Sequence, residues 1–277
     1  MRILFITRRS ERCGVADYGK RLFDILSTGM DITMCETDTD VDPSGYDIAL
    51  YNYHYATMPF ITTDHPGVKH IALFHEAHLN HRFDKVILVQ SLPRPLFNFS
   101  GPVAFYNIPV IGSFGFGFPS KNFPLLATKV KEQFDKAVLR LNIPFAEFGD
   151  ADGSLAKAEV EKCREILNGS NILLYVTHEF LNKRDLLTWC SQNDLNAFLY
   201  EQSSGRGLSS CIDYALSVRR PIAVSNSEMF RHLPKEICID NFTMPEIINK
   251  GVTPLAQVYS DNSNDKLIAA ILKEIKV

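Results

Sequence analysis

The chain lacks a dominant charge of either sign. Against 29 lysines and arginines stand 32 acidic residues over 277 positions, a formal net charge of −3. A balance of this kind does not give the broad positive field of a nucleic-acid or membrane-surface binder, although a local basic patch stays open. Long apolar runs are also missing. Nowhere do about 18 apolar residues follow one another, so no transmembrane helix is expected. The opening MRILFITRRSER meets charge after a short apolar run, too soon for the core of a signal peptide. Six cysteines, at 13, 35, 163, 190, 211 and 238, show neither CxxC spacing nor the density of a disulfide scaffold, and most sit in apolar segments. They read as free thiols of a reducing compartment. Internal repeats and low-complexity tracts are absent. What remains, 45% hydrophobic and 22% charged residues, is ordinary globular composition at about two average domain lengths. The expectation is a soluble cytoplasmic protein.

Short β-rich apolar runs alternate with amphipathic stretches, the pattern of βα units around parallel sheets. RILFI opens as a strand, and VADYGKRLFDIL follows with Val15, Tyr18, Leu22 and Leu26 at helical spacing. DITMCE, YDIALYNY, VKHIALFHE and DKVILVQ give four more strands with little helix between them. Six of the fourteen prolines lie between 93 and 124, with four glycines between 101 and 117, which predicts a domain boundary near 108. The pattern then restarts: strand NIPVIGSF, helix over 125–141, strand over 143–149, helix LAKAEVEKCREIL, strand NILLYV, helix KRDLLTWCSQN, strand NAFLYE, helix LSSCIDYALSV and strand PIAVS. A last amphipathic helix, NDKLIAAILKEIKV, is free to pack on either domain. The predicted fold is α/β, a reduced Rossmann-like domain over 1–108 and a second Rossmann-like domain over 109–277.

Four segments carry a more specific signal: EQSSGRGLSSCIDYALSVRRPIAVSN at 201–226, GSFGFGFPSKNFPLL at 112–126, EFLNKRDLLTWCSQNDLNAFLYE at 179–201, and RCGVADYGKRL at 12–22. In the first, Gly207 lets backbone approach a ligand, and the N–H groups of Leu208 and Ser209 before a helix suit a diphosphate. Asp213 stands about two turns along that helix. The second segment has glycines at 112, 115 and 117 after a strand but is not GxGxxG, and no acidic residue ends a second strand as a nicotinamide cofactor would require. Together, in this order, the four segments resemble the family 4 (group 1) glycosyltransferases of GT-B architecture.

That resemblance implies two Rossmann-like domains, a nucleotide-diphosphate sugar as donor (a UDP- or GDP-sugar), no required cofactor, and retention at the anomeric carbon. It implies that Phe114, Gly115, Arg206, Gly207, Leu208 and Ser209 surround the donor, that Asp213 accepts the ribose hydroxyls, and that Lys121 meets the leaving diphosphate. The family's first glutamate falls at Gly205, so either Glu201 substitutes or the contact is dispensed with. Its usual arginine falls at Ser113, with Arg206 as the replacement candidate. Gly14 would lie beside the donor phosphates.

Six of the eight histidines fall between 54 and 81. HEAHLNH is not HExxH and no thiol spacing accompanies it, so no metal site is expected. His75 closes the strand VKHIALF, where α/β proteins bind ligands, and the resemblance puts His75 and Glu76 at the transferred sugar or the acceptor. His54, His65 and His70 read as structural. The basic group Arg8, Arg9, Arg12, Lys20 and Arg21 reads as a solvated, salt-bridged helix face. The acceptor stays open among a glycan, a lipid, a small molecule and a hydroxymethylated DNA base, the last requiring the basic group to face phosphate. The rival is a catalytically degenerate sugar-nucleotide-binding protein.

Overall fold

A computed structural model of the chain describes residues 1–10, 13–75, 82–104, 106–147, 149–202 and 204–276. The chain divides into two compact units, Met1–Leu96 with Gly205–Ser210 and Ser260–Val277, and Phe97–Ser204 with Cys211–Tyr259. Neither is continuous in sequence.

Unit 1 contains β1 (Ile3–Arg8), α1 (Gly14–Leu26), β2 (Ile32–Thr37), β3 (Ile48–Tyr53), β4 (Lys69–Phe74) and β5 (Lys85–Leu88). All its strands pair in parallel, in the order β2-β1-β3-β4-β5. Such strands are apolar on both faces and need cover on both. On one face α1 lays Tyr18, Leu22, Ile25 and Leu26 against Ile3, Phe5, Leu50 and Leu73. Among the described residues the links between strands provide no second α-helix there. The chain's last helix supplies it, packing Leu267, Ile271 and Ile275 into the same core. The opposite face is closed by Met58 and Ile61 from the β3–β4 connection, with Phe83, over Leu4, Ile6, Tyr51, Tyr53 and Phe74.

Unit 2 contains β6 (Val110–Phe114), α2 (Phe123–Gln133), β7 (Ala137–Asn142), α3 (Ser154–Leu167), β8 (Ile172–Thr177), α4 (Lys183–Ser191), β9 (Leu195–Phe198), α5 (Cys211–Ser217), β10 (Ile222–Val224), α6 (Met244–Lys250) and all but the last two residues of α7 (Ala256–Asp261). The closing helix of unit 1 is α8 (Asn264–Ile275). The unit 2 sheet is also parallel, in the order β10-β9-β6-β7-β8. Counted from its own first strand, that is the 3-2-1-4-5 order of Rossmann sheets.

Two sequence expectations fail here. The helix expected over 125–141 stops at Gln133, and its last part is β7. Ala137, Leu139 and Leu141 are buried while Val138 and Arg140 are only partly so, a period of two that pairs between β6 and β8. Nor is 143–149 a strand. It contributes an isolated bridge, Ala146 to Asp150, and Gly149 turns with a φ of 84°. All six cysteines are free, and burial pushes the Cys163 thiol up to about 12. Among the described residues no helix is long and apolar enough to cross a membrane.

Because α8 closes a face that no local helix covers, truncating Ile271 is expected to be costly. Ile271→Ala should lose about 2–5 kcal/mol, read as a fall in Tm, while the exposed Lys273→Ala is near neutral. Equal Tm values for the two variants would contradict this packing.

Candidate active site

Parallel strands deliver their carboxyl ends to one edge, and open α/β sheets bind ligands outside that edge where the strand order reverses. In unit 1 the reversal lies between β1 and β3. Thr7, Asn52 and His75 come from the ends of β1, β3 and β4, and form a chain of hydrogen bonds. The Asn52 amide donates to Thr7 Oγ1 at 3.0 Å and to the Val15 carbonyl at 2.7 Å, while its Oδ1 lies 2.6 Å from His75 Nε2. Thr7 and Asn52 are fully buried. Gly19 makes room for them: a Cβ there would lie 2.7 Å from Thr7 Oγ1 and 2.9 Å from Asn52 Cγ. The His75 ring stands edge-on to Tyr18, centroids 5.0 Å apart, and the guanidiniums of Arg94 and Arg21 sit 5.3 and 5.7 Å from the Tyr18 ring centre.

The glycine-rich loop 205–210 belongs to this unit. Gly207 rests on the end of β4, where a Cβ would come 2.5 Å from the His75 carbonyl oxygen, so only glycine fits without a shift. Gly14 opens α1, where a Cβ would meet only Ser210 Oγ, at 3.5 Å, an ordinary contact that does not demand glycine. Arg206 is exposed, Leu208 partly buried and Ser209 buried. Gly205 is exposed with a φ of 73°. Glu76 and Arg12 lie outside the described residues. Of the other histidines, His70 is buried and accepts or donates a 2.8 Å bond with Tyr51 Oη. No group of three or more metal-ligating side chains occurs among the described residues. The remaining basic residues pair locally, Lys20 with Glu36 at 2.9 Å and Arg21 with Asp17 at 3.2 Å, but Arg21 is buried rather than solvated.

In unit 2 the reversal lies between β6 and β9. Phe114 ends β6, and its ring is enclosed by Phe198, Trp189 and Tyr214 at 5.5, 6.3 and 5.9 Å, a core role for the side chain. Gly115 follows with a φ of 144°, a conformation that favours glycine. A Cβ there would meet Lys121 Cε at 3.6 Å and Cys211 Sγ at 3.8 Å. Lys121 Nζ stands 3.9 Å above the centre of the Tyr200 ring, close enough for cation–π attraction. Glu201, exposed just after β9, ties this turn down through its N–H to the Ser120 carbonyl at 3.0 Å. Ser113 is buried within β6. Asp213 is fully buried in the first turn of α5, whereas Glu201 offers an exposed carboxylate at the strand edge.

Sequence reasoning passed over Asn52, Thr7 and Tyr200. Asn52 had a signal available, since it is the polar residue in the otherwise apolar, wholly buried strand IALYNY.

No family model matches the chain, and no curated protein matches it in sequence. Solved structures do match in fold. Anabaena HepE in complex with UDP aligns over 100% of both chains with a TM-score of 0.65 at 12% identity. The chain has the GT-B fold. AviGT4, a glycosyltransferase involved in avilamycin A biosynthesis, aligns over 100% of this chain and 97% of its own, with a TM-score of 0.61 at 10% identity. A glycosyltransferase from Rickettsia africae covers 98% of this chain and 97% of its own, at 0.56 and 10%.

Burial, aided by the positive charge of Arg94, His54 and Arg21, pushes His75 down to about 3 from an ordinary 6.5. The unfolded chain therefore takes up a proton at this residue near pH 6.5 while the folded chain resists until about 3. The associated stability is fully present above the higher value and is lost as pH falls toward the lower one. Urea unfolding across that window should show a shallower pH dependence for His75→Gln than for the wild type. Parallel pH profiles for the two proteins would contradict the burial of a neutral imidazole.

Proposed function

We propose that the protein is a retaining glycosyltransferase that moves a sugar from a nucleotide-diphosphate donor, a UDP-sugar foremost, to an acceptor hydroxyl. The observation that carries this reading is the Lys121 group of unit 2. An ammonium held over Tyr200 sits beside Gly115, at the carboxyl edge where the strand order reverses. A cation next to a glycine, whose lack of a side chain leaves room for a ligand, suits a diphosphate at that edge. The UDP held by HepE, a protein of the same fold, supports uridine as the nucleoside.

In this reading Gly115 and the main chain behind Phe114 approach the donor phosphates, and Lys121 faces the leaving diphosphate. Asp213 takes the ribose hydroxyls, and Glu201, exposed after β9, stands in for the glutamate that the family places at Gly205. In unit 1, Gly14, His75 and Glu76 serve the sugar or its acceptor, with Arg206, Gly207, Leu208 and Ser209 offering a charge and main-chain N–H groups to phosphate.

Transfer breaks the bond from the anomeric carbon to the diphosphate oxygen and forms one from that carbon to the acceptor oxygen. The acceptor proton passes to the departing phosphate oxygen. Attack from the face that the diphosphate leaves keeps the anomeric configuration and calls for no carboxylate nucleophile of the kind that retaining glycosidases use. Lys121 stabilises the charge that develops on the leaving oxygens.

The test is release of nucleoside diphosphate from a panel of UDP- and GDP-sugars, with and without glycan, lipid, small-molecule and modified-DNA acceptors. Turnover is expected. Lys121→Met, which keeps an unbranched side chain and removes the charge, should lower kcat roughly 10²–10³-fold, the usual cost of losing one group that stabilises a developing oxyanion. Tight donor binding with no turnover across every acceptor, or an unchanged kcat in the variant, would refute the assignment.

A further inference from the structure

The orientation of the Asn52 amide is decided by its neighbours. Amide oxygen and nitrogen are told apart by what they face. The Val15 carbonyl can only accept a hydrogen bond, so the atom 2.7 Å from it is the amide nitrogen. Thr7 Oγ1, 3.0 Å from the same nitrogen, accepts its second hydrogen. The oxygen is left facing His75 Nε2 at 2.6 Å and can only accept. Nε2 must therefore carry a hydrogen. Turning the amide over would set its oxygen against the Val15 carbonyl, two acceptors at contact distance with no hydrogen between them.

A second consequence follows at the other ring nitrogen. With one hydrogen on a neutral imidazole, Nδ1 keeps a lone pair. Nδ1 has no hydrogen-bond partner among the described residues. The ring plane is fixed from the side by Tyr18 and from the strand by the His75 N–H bond to Tyr53.

We propose that Asn52 is a positioning residue that fixes His75 as the Nε2–H tautomer, so that the ring meets its ligand through Nδ1 as a hydrogen-bond acceptor. Resting on the transferase reading above, this names the partner as a donor group, a hydroxyl of the sugar or of the acceptor. It also excludes His75 as a hydrogen-bond donor to phosphate through Nδ1. Thr7 and Val15 hold the amide, Gly19 leaves the space for it, and Asn52 itself touches no substrate.

Long-range ¹H–¹⁵N correlation spectra of the full-length protein at neutral pH read the tautomer directly, the His75 signals being assigned by their loss in His75→Gln. The wild type should show Nε2–H alone. Asn52→Leu, similar in volume, should show mixed tautomers. Its kcat should fall roughly ten- to hundredfold, as expected when a reacting-site group is loosened, with KM within about twofold. If that variant does not fold, Thr7→Val removes one anchor of the amide and should shift the tautomer ratio in the same direction. A wild-type spectrum with Nδ1–H, or an Asn52→Leu protein that keeps both the single tautomer and the wild-type kcat, would overturn the proposal. Absence of any sugar-nucleotide turnover beside an Nε2–H spectrum would sink the transferase reading while upholding the positioning. Turnover beside an Nδ1–H spectrum would do the reverse.

Discussion

Parallel pairing is the constraint from which the rest of the molecule follows. In each sheet all five strands run one way, so every carboxyl end arrives at a single edge and every connection has to cross back over a face. The faces become core and the edge becomes the place for chemistry. Thr7, Asn52 and His75 in one unit, and Phe114, Gly115 and Glu201 in the other, are neighbours of strand ends because the sheets leave them nowhere else to be. The buried Asn52 among them places both its amide hydrogens and its oxygen, as a group removed from water must.

Covering two faces of a five-stranded sheet takes more helix than the described part of the first ninety-six residues contains. Among the described residues of that stretch unit 1 has one α-helix, α1. The chain solves this by returning α8 from its far end, with Leu267, Ile271 and Ile275 fully enclosed. The other face relies on loop side chains such as Met58 and Ile61. Energetically the unit is held by residues more than two hundred positions apart in sequence, which ties its stability to the integrity of the C-terminal segment.

Much of this was legible in the residues. Apolar runs of strand length such as ILFITR and KHIALF read correctly because burial on both faces leaves no polar alternation to confuse them. The stretch 123–142 did not, since its apolar residues keep near-helical spacing through Gln133 and beyond, and the break at Asp135 and Lys136 is marked by neither glycine nor proline. Helix α6 carries a capping box between Thr243 and Glu246 that a search for S/T-x-x-E could have found. The membership of 205–210 and of α8 in unit 1 has no sequence signal, because compactness is a property of packing and not of order along the chain. In the site, glycines and the lysine stood out by motif, but Tyr200 and Asn52 act through geometry: a ring that seats an ammonium, and an amide whose orientation a single carbonyl fixes.

The central claim is that the carboxyl edge of the unit 2 sheet, around Gly115 and Lys121, holds a nucleoside diphosphate. Titrating UDP into ¹⁵N-labelled full-length protein and following the amide signals tests this most directly. The account predicts saturable shifts at Gly115, Lys121, Tyr200 and Glu201, with the strand centres of β6 and β9 unmoved. Saturable shifts confined to other surfaces, or none at millimolar UDP, would contradict it.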